Sequence, residues 1–431
     1  MDLNTYKYKD ILIISRGFRD GDAITTLNLF SQWPKENLYC ASPISLEYRD
    51  RLNEYYRIGN KEVKYKFPFN KISRPSNSGV ESSTTAQTPL QSNSGWKRKV
   101  YTSSVRPILQ YLDMYENRMT VSLSPAFKEW IKTIKPSVIY SSVGEIPIAD
   151  LLLQIHSEFP DIPIVIHNFD DWTVPPYRIF NNKQHRHKCE ELLRSVLSIA
   201  TLRLTSSQQM ADDYTIKYGF PFICFHNPAI LPEKFAEKVE TSNSIVFTGK
   251  IGKHNEKALI GMSKAIESLK YNNISLRFDI YTNTTPSRMP SFFNEVKSFS
   301  STIIHPPVPH KQVPEILRNA KILYLPISTN RQNQQFVKYS MSTKMGEYLA
   351  SGTPMLYCGP ESIAMTEFLK VQKCALIVTQ DNEDSLKAAI YKIINSNKSI
   401  NMEDAFKIAK QYFDMGKITH EFTQKILSVC K

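Results

Sequence analysis

Ser342, Thr343, Lys344 and Glu347 stand within about a turn of one another, just ahead of Gly352-Thr353-Pro354 and the apolar run Met355-Leu356-Tyr357-Cys358. Ser342 or Thr343 can cap a helix whose first N–H groups and positive dipole end attract a phosphate. Lys344 adds a full charge beside them, so this stretch makes a diphosphate site. Glu347, one turn further on, can accept hydrogen bonds from sugar hydroxyls, which suits a ribose. Gly352-Thr353-Pro354 then ends the helix and turns the chain into the next strand.

A second group follows an apolar run at 245–248: Gly249, Lys250, Ile251, Gly252 and Lys253. Glycines after a strand let backbone approach a ligand closely, and either lysine can neutralise its phosphates. In the first half, the run at 11–15 leads into Gly17 and Gly21, which supply flexibility to a strand exit. The run at 164–167 ends in His167 and is followed by Asp170 and Asp171, polar groups that can act on a ligand or simply cap a turn. No acidic cluster of ligand spacing accompanies the histidines, and no metal site is expected. There is neither a phosphate-binding Walker loop nor a serine nucleophile elbow, so phosphoryl transfer and hydrolase chemistry fit poorly.

The elements that must position these groups alternate. Apolar, β-branched runs are expected as strands at 11–15, 38–41, 63–67, 138–141, 164–167, 202–206 and 222–225, and again at 245–248, 278–281, 322–325, 355–358 and 375–378. Segments of helical period separate most of them, the sequence form of a parallel sheet covered by helices, so the class is α/β. The first domain is expected over 1–228 and the second over 245–400. Between them 229–244, with Pro232 and the polar run Thr241-Ser242-Asn243-Ser244, reads as an exposed linker. Residues 73–95 are rich in Ser, Thr and Asn without apolar periodicity and read as a mobile insertion. It ends in Trp96-Lys97-Arg98-Lys99, an aromatic with three cations suited to an anionic membrane surface or to a solvated loop end. From Asn401, an N-cap candidate, a long terminal helix is expected over 401–431.

At 431 residues the chain can bury two cores of ordinary size, and 41% hydrophobic with 22% charged residues places it among globular proteins. Its six cysteines (Cys40, Cys189, Cys224, Cys358, Cys374 and Cys430) show no Cys-x-x-Cys pair and read as reduced thiols. No long apolar stretch precedes the first strand and no run reaches the roughly 20 residues of a membrane span, so a cytoplasmic protein is expected. Lys plus Arg exceed Asp plus Glu by 54 to 41, which suits an anionic partner. The basic residues are spread along the chain rather than gathered in a stripe, which disfavours nucleic acid.

The run from Ser342 to Pro354 resembles the Ser-Lys-x-x-Glu-Tyr-Leu-Ala-x-Gly-x-Pro run of retaining GT-B glycosyltransferases of the family-four group, especially bacterial enzymes of surface-polysaccharide synthesis. The resemblance implies two doubly wound Rossmann-like domains facing across a cleft, with Lys344 on the donor diphosphate and Glu347 on the nucleotide ribose. It places a diphosphate-contacting cation at the strand exit of Gly249, and makes 305–310 the loop that meets the base, with Val308 as the contact. It turns Gly17 and Gly21 toward the acceptor side and aligns Glu145, His167 and Asp170 with the segments that carry catalytic groups. Family members often carry an acidic residue eight positions before the Glu and a histidine near position 143; this chain has Tyr339 and Val143. The implied function is transfer of a hexose-type sugar from a nucleoside-diphosphate donor to a saccharide or lipid-linked acceptor, with retention, without a metal or other cofactor, and with peripheral contact at the inner membrane face. A sugar-nucleotide 2-epimerase of the same fold and a non-catalytic binding protein for sugar nucleotides or nucleic acid are the alternatives.

Overall fold

The computed structural model describes residues 7–16, 20–44, 48–71, 73–81, 108–109, 117–174, 183–237, 242–330, 334–395 and 400–430. Two compact units form: Met1–Phe225 together with Thr419–Lys431, and His226–Ile418.

The first unit is built on β1 (Ile11–Ser15), β2 (Leu38–Ser42), β3 (Glu54–Arg57), β5 (Gly79–Glu81), β7 (Val138–Ser142), β8 (Ile164–Asn168), β9 (Leu202–Thr205) and β10 (Ile223–Cys224), in the order β10-β9-β8-β7-β1-β2-β3-β5. All pair in parallel except β5, which runs antiparallel along β3. The central strands read ILIIS, VIYSS and IVIHN and are buried almost throughout, as strands covered on both faces must be. Among the described residues its helices include α1 (Asp20–Leu29), α2 (Pro125–Ile134), α3 (Ile146–Glu158), α4 (Lys183–Ile199) and α5 (Gln208–Tyr218). The start of α2 is set by Ser124, whose Oγ accepts from Phe127 N–H at 3.1 Å, and by Pro125 in its first turn. Phe127, Trp130, Ile131 and Ile134 then fall on one buried face.

Three departures from the sequence reading occur here. The run at 63–67 does not join the parallel sheet: β4 (Val63–Tyr65) pairs antiparallel with β6 (Met119–Val121) in a small separate sheet. Part of the expected insertion is ordered, since Gly79–Glu81 closes the edge of the large sheet and Glu81 is held by Arg57 and Arg49; 82–95 and the Trp96–Lys99 motif lie outside the described residues. Helix α1 already begins at Asp20, so Gly21 sits in its first turn rather than in a loop, while Gly17 lies outside the described residues.

The second unit holds a six-stranded parallel sheet, β13-β12-β11-β14-β15-β16, formed by β11 (Ser244–Thr248), β12 (Arg277–Tyr281), β13 (Thr302–His305), β14 (Ile322–Pro326), β15 (Met355–Cys358) and β16 (Leu376–Val378). Helices α6 (Glu256–Leu269), α7 (Pro290–Val296), α8 (Val313–Asn319), α9 (Met345–Ala350), α10 (Ala364–Gln372), α11 (Glu383–Asn395) and α12 (Met402–Tyr412) accompany it. Two apolar clusters form the core, one containing Leu259, Ile266, Phe278 and Tyr324, the other Leu325, Tyr348, Tyr357 and Phe413. The expected linker is partly absorbed here. Ala229 is buried, donates its N–H to Phe413 O at 2.8 Å and accepts from Met415 N–H at 3.0 Å.

That contact also divides the expected terminal helix in two. Asn401 Oδ1 accepts from Glu403 and Asp404 N–H and opens α12, which stops at Phe413. Asp414 then accepts from Lys417 N–H at 3.1 Å and starts α13 (Met415–Leu427). From Thr419 onward α13 belongs to the first unit, where Phe422, fully buried, meets Phe30, Tyr140 and Phe225 edge-on at 5.0, 6.1 and 5.5 Å between ring centres. Among the described residues no helix is long and apolar enough to cross a membrane.

Candidate functional site

From β11 the chain of the second unit runs outward through β12 and β13, then returns to β14 and runs outward the other way through β15 and β16. The carboxyl ends of β11 and β14 therefore form a topological switch point, where open α/β sheets bind their ligands. Gly249 to Lys253 follow β11 at this place, and Lys344 and Glu347 are brought to it by α9.

Two contacts fix α9 against β11. Thr248 N–H donates to Tyr348 Oη at 2.9 Å, and Thr248 Oγ1 lies 3.2 Å from the same oxygen. On its other side Gly346 packs so closely that an added Cβ would stand 2.7 Å from Phe413 Cβ and 3.1 Å from Ala229 Cβ. A glycine is therefore required for α9 to sit at this depth. Gly352, at φ +75°, ends the helix as the sequence suggests. The expected capping by Ser342 or Thr343 does not form. The helix has six residues with Lys344 itself at the N-cap and no side-chain cap, and Ser342 Oγ instead accepts Lys344 N–H at 3.3 Å. Ser342 is half-buried and Thr343 exposed.

The lysine side chain crosses to the β11 exit. Gly249 adopts φ +134°, and a Cβ there would lie 2.1 Å from Lys344 Cε and 2.7 Å from Nζ, so the ammonium rests on the glycine backbone. The loop beneath is braced: Ile251 N–H donates to Thr284 Oγ1 at 2.9 Å, Gly252 N–H to Asn255 Oδ1 at 2.9 Å, and Asn255 Nδ2 to Lys250 O at 3.0 Å. Lys250 and Lys253 are exposed at its surface. Burial lowers the Lys344 pKa, Glu347 opposes the shift, and Lys250 adds to it. Burial likewise raises the Glu347 carboxyl against the pull of His310 and Lys344. His254, which sequence reasoning overlooked, is pushed down to about 4 by burial and by Lys344, and is neutral at physiological pH.

A second overlooked histidine reaches Glu347: His310 Nε2 lies 3.2 Å from its Oε1. The two stand on the rim of a groove of about 430 Å³ lined also by Leu231, Lys234, Val313 and Leu317. Val308, the expected base contact, is half-buried in the loop between β13 and His310. Tyr339, where the family resemblance leads one to look for an acid, is buried and receives Lys338 Nζ on its hydroxyl at 2.9 Å.

A depressed Lys344 gives a pH signature for anion binding. A bound diphosphate favours the charged lysine, so affinity for a nucleoside diphosphate should be highest where Lys344 is protonated and should fall as pH rises through its lowered pKa. Calorimetric titration between about pH 7 and 10 reads this; an affinity that stays flat or climbs with pH would remove Lys344 from the contact.

The first unit places its candidates differently. His167 is fully buried, its Nδ1 2.7 Å from Tyr140 Oη, and burial pushes its pKa down to about 3. It projects to the face where Tyr140 packs on Phe30, and its Nε2 is buried without a hydrogen-bond partner. Asp170 is half-buried in the turn after β8, and its main-chain carbonyl accepts from Trp172 N–H at 3.0 Å. Asp171 caps that turn, its Oδ1 accepting from Thr173 N–H and Oγ1 at 3.1 and 2.6 Å. Glu145 precedes α3, with Arg16 Nε and an Arg118 guanidinium nitrogen 3.1 and 3.8 Å from its Oε2.

Residues 242–396 match the protein family described as Glycosyl transferases group 1. Among solved structures, HepE of Anabaena in complex with UDP-glucose is similar with a TM-score of 0.60 and 12% identity, over 98% of this chain and 100% of that one. Sucrose-phosphate synthase of Thermosynechococcus elongatus gives 0.61 and 10%, over 98% and 99%. A glycosyltransferase of Rickettsia africae gives 0.60 and 11%, over 98% and 99%. No curated protein sequence matches. The fold is thus GT-B, with Rossmann-like parallel-sheet domains. That fold and the group 1 match together support a GT-B glycosyltransferase.

Proposed function

We propose that the chain transfers a hexose-type sugar from a nucleoside-diphosphate donor to a saccharide or lipid-linked acceptor with retention of configuration, in surface-polysaccharide synthesis. The observation that carries the reading is the Lys344 ammonium resting on Gly249, with Glu347 one helical turn beyond it, at the switch point of the second sheet. A diphosphate at that point would meet Lys344 and the exposed Lys250 and Lys253. The groove beside Glu347 would take the nucleoside, with the ribose on the carboxylate and the base toward Val308 and His310. As the glycosidic bond to the diphosphate breaks, negative charge grows on the leaving oxygen, and a fixed ammonium stabilises it more than it stabilises the ground state. In this reading lysine charge does the work a divalent cation could do. The complexes of HepE with UDP-glucose and with UDP make a uridine donor the first to try.

The test is a thermal-shift and calorimetric panel of UDP-, GDP-, ADP- and dTDP-sugars on the full chain, with and without EDTA. One nucleotide class should raise the melting point increasingly with its concentration, and EDTA should leave the shift intact. Absence of a shift with every nucleotide would overturn the donor site; loss of the shift in EDTA would overturn the metal-free mechanism.

A further inference from the structure

The first sheet has its own switch point, between β1 and β7, and the residues at that mouth are not accounted for by the donor site. Arg16 leaves β1 there and Glu145 lies just past β7. Both guanidiniums, Arg16 and Arg118, converge on one carboxylate oxygen of Glu145 at 3.1 and 3.8 Å. Glu145 is the N-cap residue of α3, a thirteen-residue helix, yet its side chain makes no cap hydrogen bond. Two cations and the positive end of a helix outweigh the single carboxylate, and the Arg16 side chain is 54% exposed.

An independent feature stands beside it. Asn168, the last residue of β8, is 1% exposed, and neither its Oδ1 nor its Nδ2 has a hydrogen-bond partner. An unpaired buried amide is costly, and buried amides are almost always satisfied. Ser15 is level with Ser142, and Ser141 with Ile166. Carried on to the strand ends, this register sets Arg16, Val143 and Asn168 level at the carboxyl edge of neighbouring strands. The unpaired amide thus stands at the same sheet edge as Arg16, two strands away.

We propose that this corner is a subsite for a phosphate group on the acceptor, with Arg16 and Arg118 engaging the phosphate oxygens and the Asn168 amide taking an adjoining oxygen or hydroxyl. Calling the ligand an acceptor rests on the transferase reading; the anion site itself does not. The phosphate can belong to a soluble sugar phosphate or to a lipid headgroup.

Inorganic phosphate is titrated into the full chain carrying Lys344→Ala, which weakens the cationic site of the second unit, at fixed ionic strength. Saturable binding is expected, weakened at least tenfold by Arg16→Gln and by Asn168→Leu. Because Asn168 has no partner to lose, the near-isosteric leucine should bind phosphate worse while melting no lower than its parent, a combination that a purely structural asparagine would not give. No saturable binding, or equal affinity in both variants, overturns the subsite. Sedimentation with phosphatidylglycerol vesicles separates the sources: pelleting lost in Arg16→Gln assigns the phosphate to a lipid, and no pelleting beside intact phosphate binding assigns it to a soluble acceptor. UDP titrated into the chain with Lys344 intact keeps the two readings apart. UDP binding without an Arg16-dependent phosphate site removes the subsite alone, and the converse removes the transferase reading alone.

Discussion

Lys344→Ala is expected to weaken UDP binding by at least tenfold and to slow sugar transfer by about 10²–10³-fold. A hydrogen bond to a charged partner contributes about 1.5–3 kcal/mol, more than a neutral one, because the ammonium is fixed before the ligand arrives. The same substitution should not destabilise the fold. Burial and Lys250 disfavour the Lys344 charge in the free protein and Glu347 only partly offsets them, so alanine removes little support. Lower affinity with an unchanged or higher melting temperature would mark the lysine as kept for its ligand. Lys344→Arg should rescue little: Nζ already rests where a Cβ of residue 249 would be 2.7 Å away, and a planar guanidinium is larger than an ammonium. UDP affinity within twofold of the native value in Lys344→Ala would sink the assignment.

Phe422→Ala should be strongly damaging outside the site, costing about 3–5 kcal/mol. Its ring is fully buried among Phe30, Tyr140 and Phe225, and edge-on pairs add to what burial alone contributes. For a unit of this size each kcal/mol moves the melting point by about 2–4 °C, so differential scanning calorimetry should record a fall of the order of 10 °C. A fall under about 3 °C would mean that the aromatic cluster closes around the gap or does not hold the unit together.

Much of the fold was legible because fully buried strands advertise themselves: the ILIIS run of β1 lies where the sequence places it, and β7, β8 and β14 run one residue past the expected 138–141, 164–167 and 322–325. The strands it missed lack that signal. Thr302–His305 is an edge strand with no fully buried residue, Gly79–Glu81 is three residues in a polar stretch, and Glu54–Arg57 has charges at both ends. Val63–Tyr65 is apolar enough to be found, but its partner is the distant Met119–Val121, and pairing across that interval leaves no local trace. At the site, Lys344 and Glu347 were legible because they share one short helix. His254, His310 and Asn168 were not: each is a lone polar residue whose role comes from what the chain folds beside it. Alternation along β8 turns His167 toward Tyr140 while its neighbour Asn168 faces the other way, a difference that the sequence run alone does not reveal.

The division of the chain between its units has a consequence for synthesis on the ribosome. Residues up to Phe225 emerge first, yet the ring that fills their core at position 422 is added only after the whole of His226–Ile418 has been translated. The leading unit must wait, with the pocket between Phe30, Tyr140 and Phe225 open, while the trailing unit can close on itself as soon as it clears the exit tunnel. The first unit's core is thus completed only after the second unit has been made, and a nascent chain ending before residue 422 should be more open to proteolysis in that unit than the full chain.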